Sequence, residues 1–354
     1  MSASAHRGTG SDRLRTIWRS RNPAACALLP LAGVYALVAG LQRKLYQHGI
    51  LRAQHPGVPV IVIGNVIAGG AGKTPVTLAT VAHLQSRGLK PGIISRGYGR
   101  STTDCRQATP DALPQEVGDE PLLMARSSGV PVFVAPQRIE AAQALLNAYP
   151  DTNILVCDDG LQHHALARDL EICVFNNEGI GNGWLLPAGP LREAWPRPVS
   201  AVLHAAAQPP QGTPDSTPSF HLQRTLAPFA LRSTGEHVAL SALQGQPLHA
   251  LAAIARPEEF FTMLRAQSLS LASTEGLPDH YNFESWQRPA DQRLQVICTE
   301  KDAAKLWQVL PQALAVPLQL QVEPGYFALL DRMLCLSSPH SEHLPQDNHG
   351  SQTA

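Results

Sequence analysis

Pro59-Val60-Ile61-Val62-Ile63-Gly64-Asn65-Val66-Ile67-Ala68-Gly69-Gly70-Ala71-Gly72-Lys73-Thr74 is the stretch that decides the fold. Val60 to Ile63 are β-branched without a break and sit between Gly57 and Gly64, the pattern of a strand buried on both faces. A glycine-rich turn follows, then a helical pattern from Thr74 to about Arg87 that Gly88 closes; Gly92-Ile93-Ile94-Ser95 begins the next strand. Strand, helix and strand in so short a stretch make a βαβ unit. Gly72-Lys73-Thr74 at the mouth of the helix is the core of a Walker A phosphate loop. Its glycines let backbone N–H groups turn toward phosphate oxygens, and the helix N-terminus adds favourable partial charge. Ile67, Ala68, Gly69, Gly70, Ala71, Gly72, Lys73 and Thr74 are therefore candidate ATP contacts. Lys73 is expected to reach the β- and γ-phosphates and the Thr74 hydroxyl to take Mg²⁺. Ile67 stands where the strict G-x-x-x-x-G-K-[ST] pattern has its first glycine, so a glycine-rich turn without a ligand is the competing reading.

The alternation runs on downstream. Leu122–Ser127 reads as helix, Val130–Ala135 as extended, Arg138–Ala148 as helix, and Asn153–Cys157 and Ile172–Phe175 as buried strands. This predicts an α/β fold with an open, mostly parallel sheet of the P-loop NTPase kind. The proline-rich stretch 208–219 reads as a linker. Beyond it, Phe220–Leu226, His237–Leu243, Leu248–Gln267 and Leu294–Cys298 leading into a helix from Lys301 suggest a second, smaller α/β domain. The expected organisation is a basic N-terminal extension (1–21), an apolar membrane-associated helix (22–45), a P-loop kinase domain (46–207), the linker, the smaller domain (220–337) and a disordered polar tail (338–354).

Bulk properties exclude several classes. The 354 residues are 44% hydrophobic and 16% charged, which is globular composition. Lys plus Arg equals Asp plus Glu at 28 each, so no overall field attracts nucleic acid, and nothing calls for an obligate protein partner. The six cysteines are scattered, with no C-x-x-C pair, which fits a reduced compartment. The N-terminus departs from this balance. Arg7, Arg13, Arg15, Arg19 and Arg21 face one acid, Asp12; Asn22 to Gln42 then carries no charge, and Arg43 and Lys44 follow. As a helix that run would be about 31 Å long, roughly one bilayer core. Pro23, Pro30, Gly33 and Gly40 oppose insertion, and basic residues at both ends select no orientation. The preferred reading is a helix docked on the cytoplasmic face of a membrane, with a single span or a buried core helix as alternatives.

Two acidic segments carry further chemistry. Asn153-Ile154-Leu155-Val156-Cys157-Asp158-Asp159 is an apolar strand ending in two carboxylates, the Walker B arrangement that suits hard Mg²⁺. Adjacent strand residues point to opposite faces, so Asp158 and Asp159 are not expected to share one role. Gly118-Asp119-Glu120-Pro121 precedes a helix, where Asp119 is either a cap or a general base for an attacking hydroxyl.

Together these segments resemble the tetraacyldisaccharide 4′-kinase family. The resemblance rests on Val62–Asn65 through Gly70–Pro75, Ser95-Arg96-Gly97-Tyr98-Gly99, Gly118–Pro121, Asp158-Asp159-Gly160-Leu161-Gln162-His163 and Leu185–Glu193. Ile254-Ala255-Arg256-Pro257, Pro278-Asp279-His280-Tyr281 and Thr299–Ala303 match in the second half. The ordered segments cover roughly residues 20–330, and the family's own loop also lacks the first glycine. The resemblance implies an ATP- and Mg²⁺-dependent kinase of lipid A biosynthesis at the cytoplasmic face of the inner membrane. It would phosphorylate the 4′-hydroxyl of a tetraacylated glucosamine disaccharide 1-phosphate and so form lipid IVA. It further implies Asp119 as catalytic base with His280 as its partner, Arg192 as a catalytic arginine and Arg96 as a basic residue beside the nucleotide. Thr74, Asp158, Asp159 and His163 would make up the metal cluster. Ordinary alternatives stand beside these roles: a surface ion pair for Arg96, a helix-start pair for Arg192 with Glu193, and a loop carbonyl contact for His280. The competing function is a membrane-docked P-loop switch ATPase. Many such switches carry a signature Lys where this chain has Ala68.

Overall fold

The computed structural model describes residue 14 and residues 16–70, 72–279, 281–289 and 291–336. Ala71, His280 and the expected tail (338–354) lie outside the described residues, as does most of the basic extension. Two N-terminal helices, α1 (Pro23–Ala27) and α2 (Leu29–Gln47), precede β1 (Val60–Gly64), α3 (Lys73–Ser86) and β2 (Pro91–Ser95). Next come β3 (Arg106–Ala108), α4 (Pro114–Val117), α5 (Asp119–Ser128), β4 (Val132–Val134) and α6 (Arg138–Ala148). β5 (Ile154–Asp158), β6 (Leu170–Phe175), β7 (Ala201–His204) and β8 (Ser219–Leu226) complete the first run. A second run holds β9 (Phe229–Leu231), β10 (His237–Ala239), β11 (Pro247–Ala252), α7 (Pro257–Ala266), β12 (Ser270–Gly276), β13 (Gln295–Thr299), α8 (Glu300–Val309) and β14 (Leu314–Val316). The chain ends its described course with β15 (Leu318–Val322) and α9 (Pro324–Met333).

The large sheet has nine strands in the order β15-β8-β7-β6-β1-β5-β2-β4-β3. From β8 to β4 every neighbour is parallel, and only the edge strands β15 and β3 run antiparallel. Every residue of β1 is buried, as an unbroken β-branched run requires. Strict alternation divides the strand between two cores. Ile61 and Ile63 pack with Val76, Leu84, Leu122 and Leu330 on the α3, α5 and α9 side, while Val60 and Val62 pack with Ile139, Leu145 and Leu161 on the α6 side. Thr80 of α3 and Tyr326 of α9 share a buried hydrogen bond of 2.8 Å. The second sheet, β10-β9-β14-β13-β11-β12, has its own cores around Phe260, Phe261 and Ile297 and around Phe283 and Leu306.

The stretch expected to form the smaller domain contributes both of its flanks to the large sheet. β8 pairs parallel with β7 and antiparallel with β15, so the residues between 227 and 317 build the second sheet. The half-buried alternation of these two strands announces extended chain but does not name its partner.

Among the described residues, no helix is long and apolar enough to cross a membrane. The uncharged run is broken at Leu28, where α1 ends and α2 begins. A buried core helix does not form either: Leu31, Val34, Leu37, Val38 and Leu41 are 56–72% exposed along one face of α2. The other side is tied to the body, with Tyr35 Oη donating to the Arg192 carbonyl at 2.8 Å.

Candidate active site

The site assembles where β1 and β5 end side by side. Ile63 pairs with Asp158 in the parallel register, which sets the root of the phosphate loop beside the paired acids. Gly72, at φ +80°, turns the chain into α3 as its N-cap, and Lys73 is the first helical residue. The loop is held from several directions. Asn65 Nδ2 donates to the Gly69 carbonyl and Asn176 Nδ2 to that of Gly70, both at 3.3 Å. Ala68 N–H donates to the Pro190 carbonyl at 2.7 Å, Ile67 bridges to Leu191, and Arg192 N–H reaches the Val66 carbonyl at 2.7 Å. The Leu185–Glu193 segment is thus strapped along the loop, and this places Arg192.

Asp158 and Asp159 take different surroundings: Asp158 ends β5, and Asp159 has left the strand. Asp158 is 1% exposed; its Oδ1 accepts from Thr77 Oγ1 at 2.9 Å, and its Oδ2 has no hydrogen-bond partner. Burial, reinforced by the charge of Glu120, pushes its pKa up to about 7. Asp159 adopts a left-handed φ of 50°, which a short polar side chain tolerates. Its carboxylate lies 3.7 Å from Lys73 Nζ and 3.3 Å from an Arg192 Nη. Burial opposes its ionisation, but Lys73 and Arg192 prevail and hold its pKa below the usual carboxylate value.

Asp119 is the first residue of α5, and Gly118 holds the N-cap position. Asp119 Oδ2 accepts from Lys305 Nζ at 2.7 Å. Lys301, one helical turn earlier on α8, sits 3.4 Å from Glu120 and 3.5 Å from Asp279. Burial alone would lower the pKa of Lys301, yet the surrounding carboxylates raise it. These contacts join α5 of the large sheet to α8 of the second.

His163 contacts the first residue of α6. Its Nε2 accepts from the Arg138 N–H at 3.3 Å, and burial with the neighbouring charges of Arg138 and Arg168 lowers its pKa to about 4. Among the described residues, no group of three or more His, Cys, Asp or Glu side chains gathers as a metal cluster. A site of Thr74 and Asp158 still fits Mg²⁺: a buried carboxylate with an unpartnered oxygen suits a hard cation that takes few protein ligands and fills its shell with phosphate and water. Arg96 is exposed beyond β2, close enough for its charge to act on His163.

Several residues of the motif segments that carried no functional role, and others outside those segments, come to this region. Gln162 Nε2 links the Asn65 carbonyl (3.0 Å) to Glu193 (2.7 Å). Glu193 is one end of a buried chain that runs through Arg197 and Glu171 to Arg168. Arg256 pairs with Glu178 at 2.6 Å, and both line a cleft of about 440 Å³ with Ile67–Gly70 and Trp18. Lys305, just beyond the quoted Thr299–Ala303 segment, could have been found from its i, i+4 spacing to Lys301 behind the capping Thr299.

Comparison with known proteins bears on this arrangement. The tetraacyldisaccharide 4′-kinase of Acidovorax sp. (strain JS42) is 61% identical over 329 residues, covering 93% of this chain and 96% of that protein. The protein of the same name from Delftia acidovorans (strain DSM 14801 / SPH-1) is 59% identical over 322 residues, covering 91% and 94%. A crystal structure described as the "apo" form of LpxK from Aquifex aeolicus in complex with ATP superposes with a TM-score of 0.76 at 26% identity, covering 88% of this chain and 99% of that one. The model of the family described as Tetraacyldisaccharide-1-P 4′-kinase matches residues 24–335, a span that takes in both sheets and every site segment above. By that match and by relatives of this identity, the chain belongs to the tetraacyldisaccharide-1-P 4′-kinase family.

Proposed function

We propose that this protein transfers the γ-phosphate of ATP to the 4′-hydroxyl of a tetraacylated glucosamine disaccharide 1-phosphate, giving lipid IVA. The observation that carries the reading is the convergence of Lys73 and Arg192 on Asp159 at the mouth of the phosphate loop, with Asp158 alongside. Phosphoryl transfer needs positioning and charge neutralisation more than covalent chemistry. Residues 67–74 cradle the triphosphate; Lys73 and Arg192 neutralise its terminal oxygens, and Asp159 keeps both cations aimed when no nucleotide is bound. Thr74 and Asp158 would hold Mg²⁺, which would supply charge stabilisation to the phosphates. Asp119 orients the acceptor hydroxyl and takes its proton, and the pairing of Asp119 with His280 belongs to the same proposal.

The exposed apolar face of α2 supports docking on the cytoplasmic face of the inner membrane, where the acyl chains of the acceptor remain. The contact of Tyr35 with the Arg192 carbonyl ties that helix to the catalytic loop. The test is γ-labelled ATP presented with the acylated disaccharide in vesicles. Label appearing on the lipid is the expected result; release of inorganic phosphate that does not depend on the acceptor would refute the kinase reading.

A further inference from the structure

Arg224 lies on β8, outside every motif that marks the nucleotide site, yet its side chain crosses to the phosphate loop. A Cβ placed on Gly72 would come within 2.6 Å of Arg224 Cζ and 2.8 Å of Nε, so the guanidinium rests on the backbone immediately before Lys73. The side chain is 16% exposed, and the carboxylate of Glu259 lies 3.8 Å away. That same carboxylate receives Arg256 at 2.7 Å. One glutamate of α7 therefore sits between two guanidinium groups at the rim of the loop. Ala255, beside Arg256, meets the loop at Gly70, where an added Cβ would be 3.3 Å from its own.

We propose that Arg224 is a nucleotide phosphate contact and that Glu259 occupies its guanidinium in the absence of nucleotide, standing in for phosphate oxygens. This rests on the nucleotide reading above and extends it to a residue on the strand by which the chain leaves the large sheet. The geometry favours exchange. Glu259 is 40% exposed and its separation from Arg224 is too long for a hydrogen bond, so little is lost when the pair opens. A phosphate offers more charge and more acceptor oxygens to the planar fork of an arginine than one shared carboxylate does. Lys73 and Arg192 leave Asp159 for the terminal oxygens in the reading above, and Arg224 would add a third cation along the same loop.

Arg224→Gln, Arg224→Lys and Glu259→Gln test this by equilibrium binding of ATP and of adenosine, with the thermal unfolding of each nucleotide-free variant measured in parallel. Arg224→Gln is expected to weaken ATP at least tenfold, about 1.4 kcal/mol. Arg224→Lys should recover part of that loss, and Glu259→Gln should tighten ATP by removing the competitor. Adenosine affinity should stay within twofold in all three. ATP affinity in Arg224→Gln within twofold of the parent overturns the proposal, and so does an equal loss of ATP and adenosine, which would mark a folding role. Weaker ATP binding in Glu259→Gln overturns the stand-in role. A parent protein that binds no ATP overturns the nucleotide reading itself, so the two failures separate.

Discussion

Asp158→Asn removes one buried charge while keeping the shape of the side chain and the oxygen to which Thr77 donates at 2.9 Å. Burial raises the Asp158 carboxyl from an ordinary 3.8 to about 7 in the folded chain. A rise of roughly three pH units, at about 1.4 kcal/mol each, makes the ionised carboxylate cost the fold at most about 4 kcal/mol. The sign follows from linkage. Because the folded-state pKa lies above the unfolded one, the contribution of this group to stability is fully present below about pH 4 and is lost as pH rises through 7. The neutral amide does not titrate. Denaturant unfolding without Mg²⁺ or nucleotide should therefore find Asp158→Asn more stable than the parent at pH 8, by an amount of that order. The advantage should shrink steadily between pH 7 and pH 4. Adding Mg²⁺ and a non-hydrolysable ATP analogue should stabilise the parent and leave the variant behind, since only the parent has the carboxylate to bind the cation. A variant less stable than the parent at pH 8, or a difference that does not change with pH, would refute the reasoning about this carboxylate.

Replacing Leu37 and Val38 by Asp, two residues 72% and 62% exposed, should abolish co-sedimentation with anionic vesicles while leaving ATP affinity within twofold; retained vesicle binding would remove the docking role of α2. Gly118→Ala should destabilise the fold by about 1–3 kcal/mol in denaturant titrations, through left-handed strain at φ +93° and a contact of 2.9 Å with the Tyr98 carbonyl. Because Gly118 delivers Asp119, that variant should also lose kcat more than ATP affinity. Arg197→Leu leaves Glu171 and Glu193 without their shared buried partner and should cost about 3–5 kcal/mol, read as a lowered denaturant midpoint.

Much of the parallel core was legible because its strands are short apolar runs punctuated by glycine. Val60–Ile63, Ile154–Cys157 and Ile172–Phe175 declare themselves by composition, and Gly-Lys-Thr after the first of them locates the phosphate loop. Asp158 and Asp159 were legible as a carboxylate pair at the end of an apolar strand. The surroundings that divide them were not legible. A left-handed φ at Asp159 and the strap formed by Pro190–Arg192 depend on chain segments far away in sequence. β8 shows the same limit, since Phe220–Leu226 reads as extended but is silent about which sheet it extends, and β15 was not read from the sequence. Asp119 stood as a cap or as a base, and the sequence marks neither the N-cap position of Gly118 nor the contact of the Asp119 carboxylate with Lys305. Arg224 had no pattern to mark it, because a polar residue on a half-buried strand is ordinary in sequence.

The central claim, that the loop between β1 and α3 holds a triphosphate whose terminal group is transferred, is tested most directly by single-turnover transfer of the γ-label to the lipid acceptor in Lys73→Ala. The variant should lose at least about a hundredfold relative to the parent, the scale of removing one charge-stabilising donor from a transition state. Transfer by Lys73→Ala at the parental rate would contradict that claim.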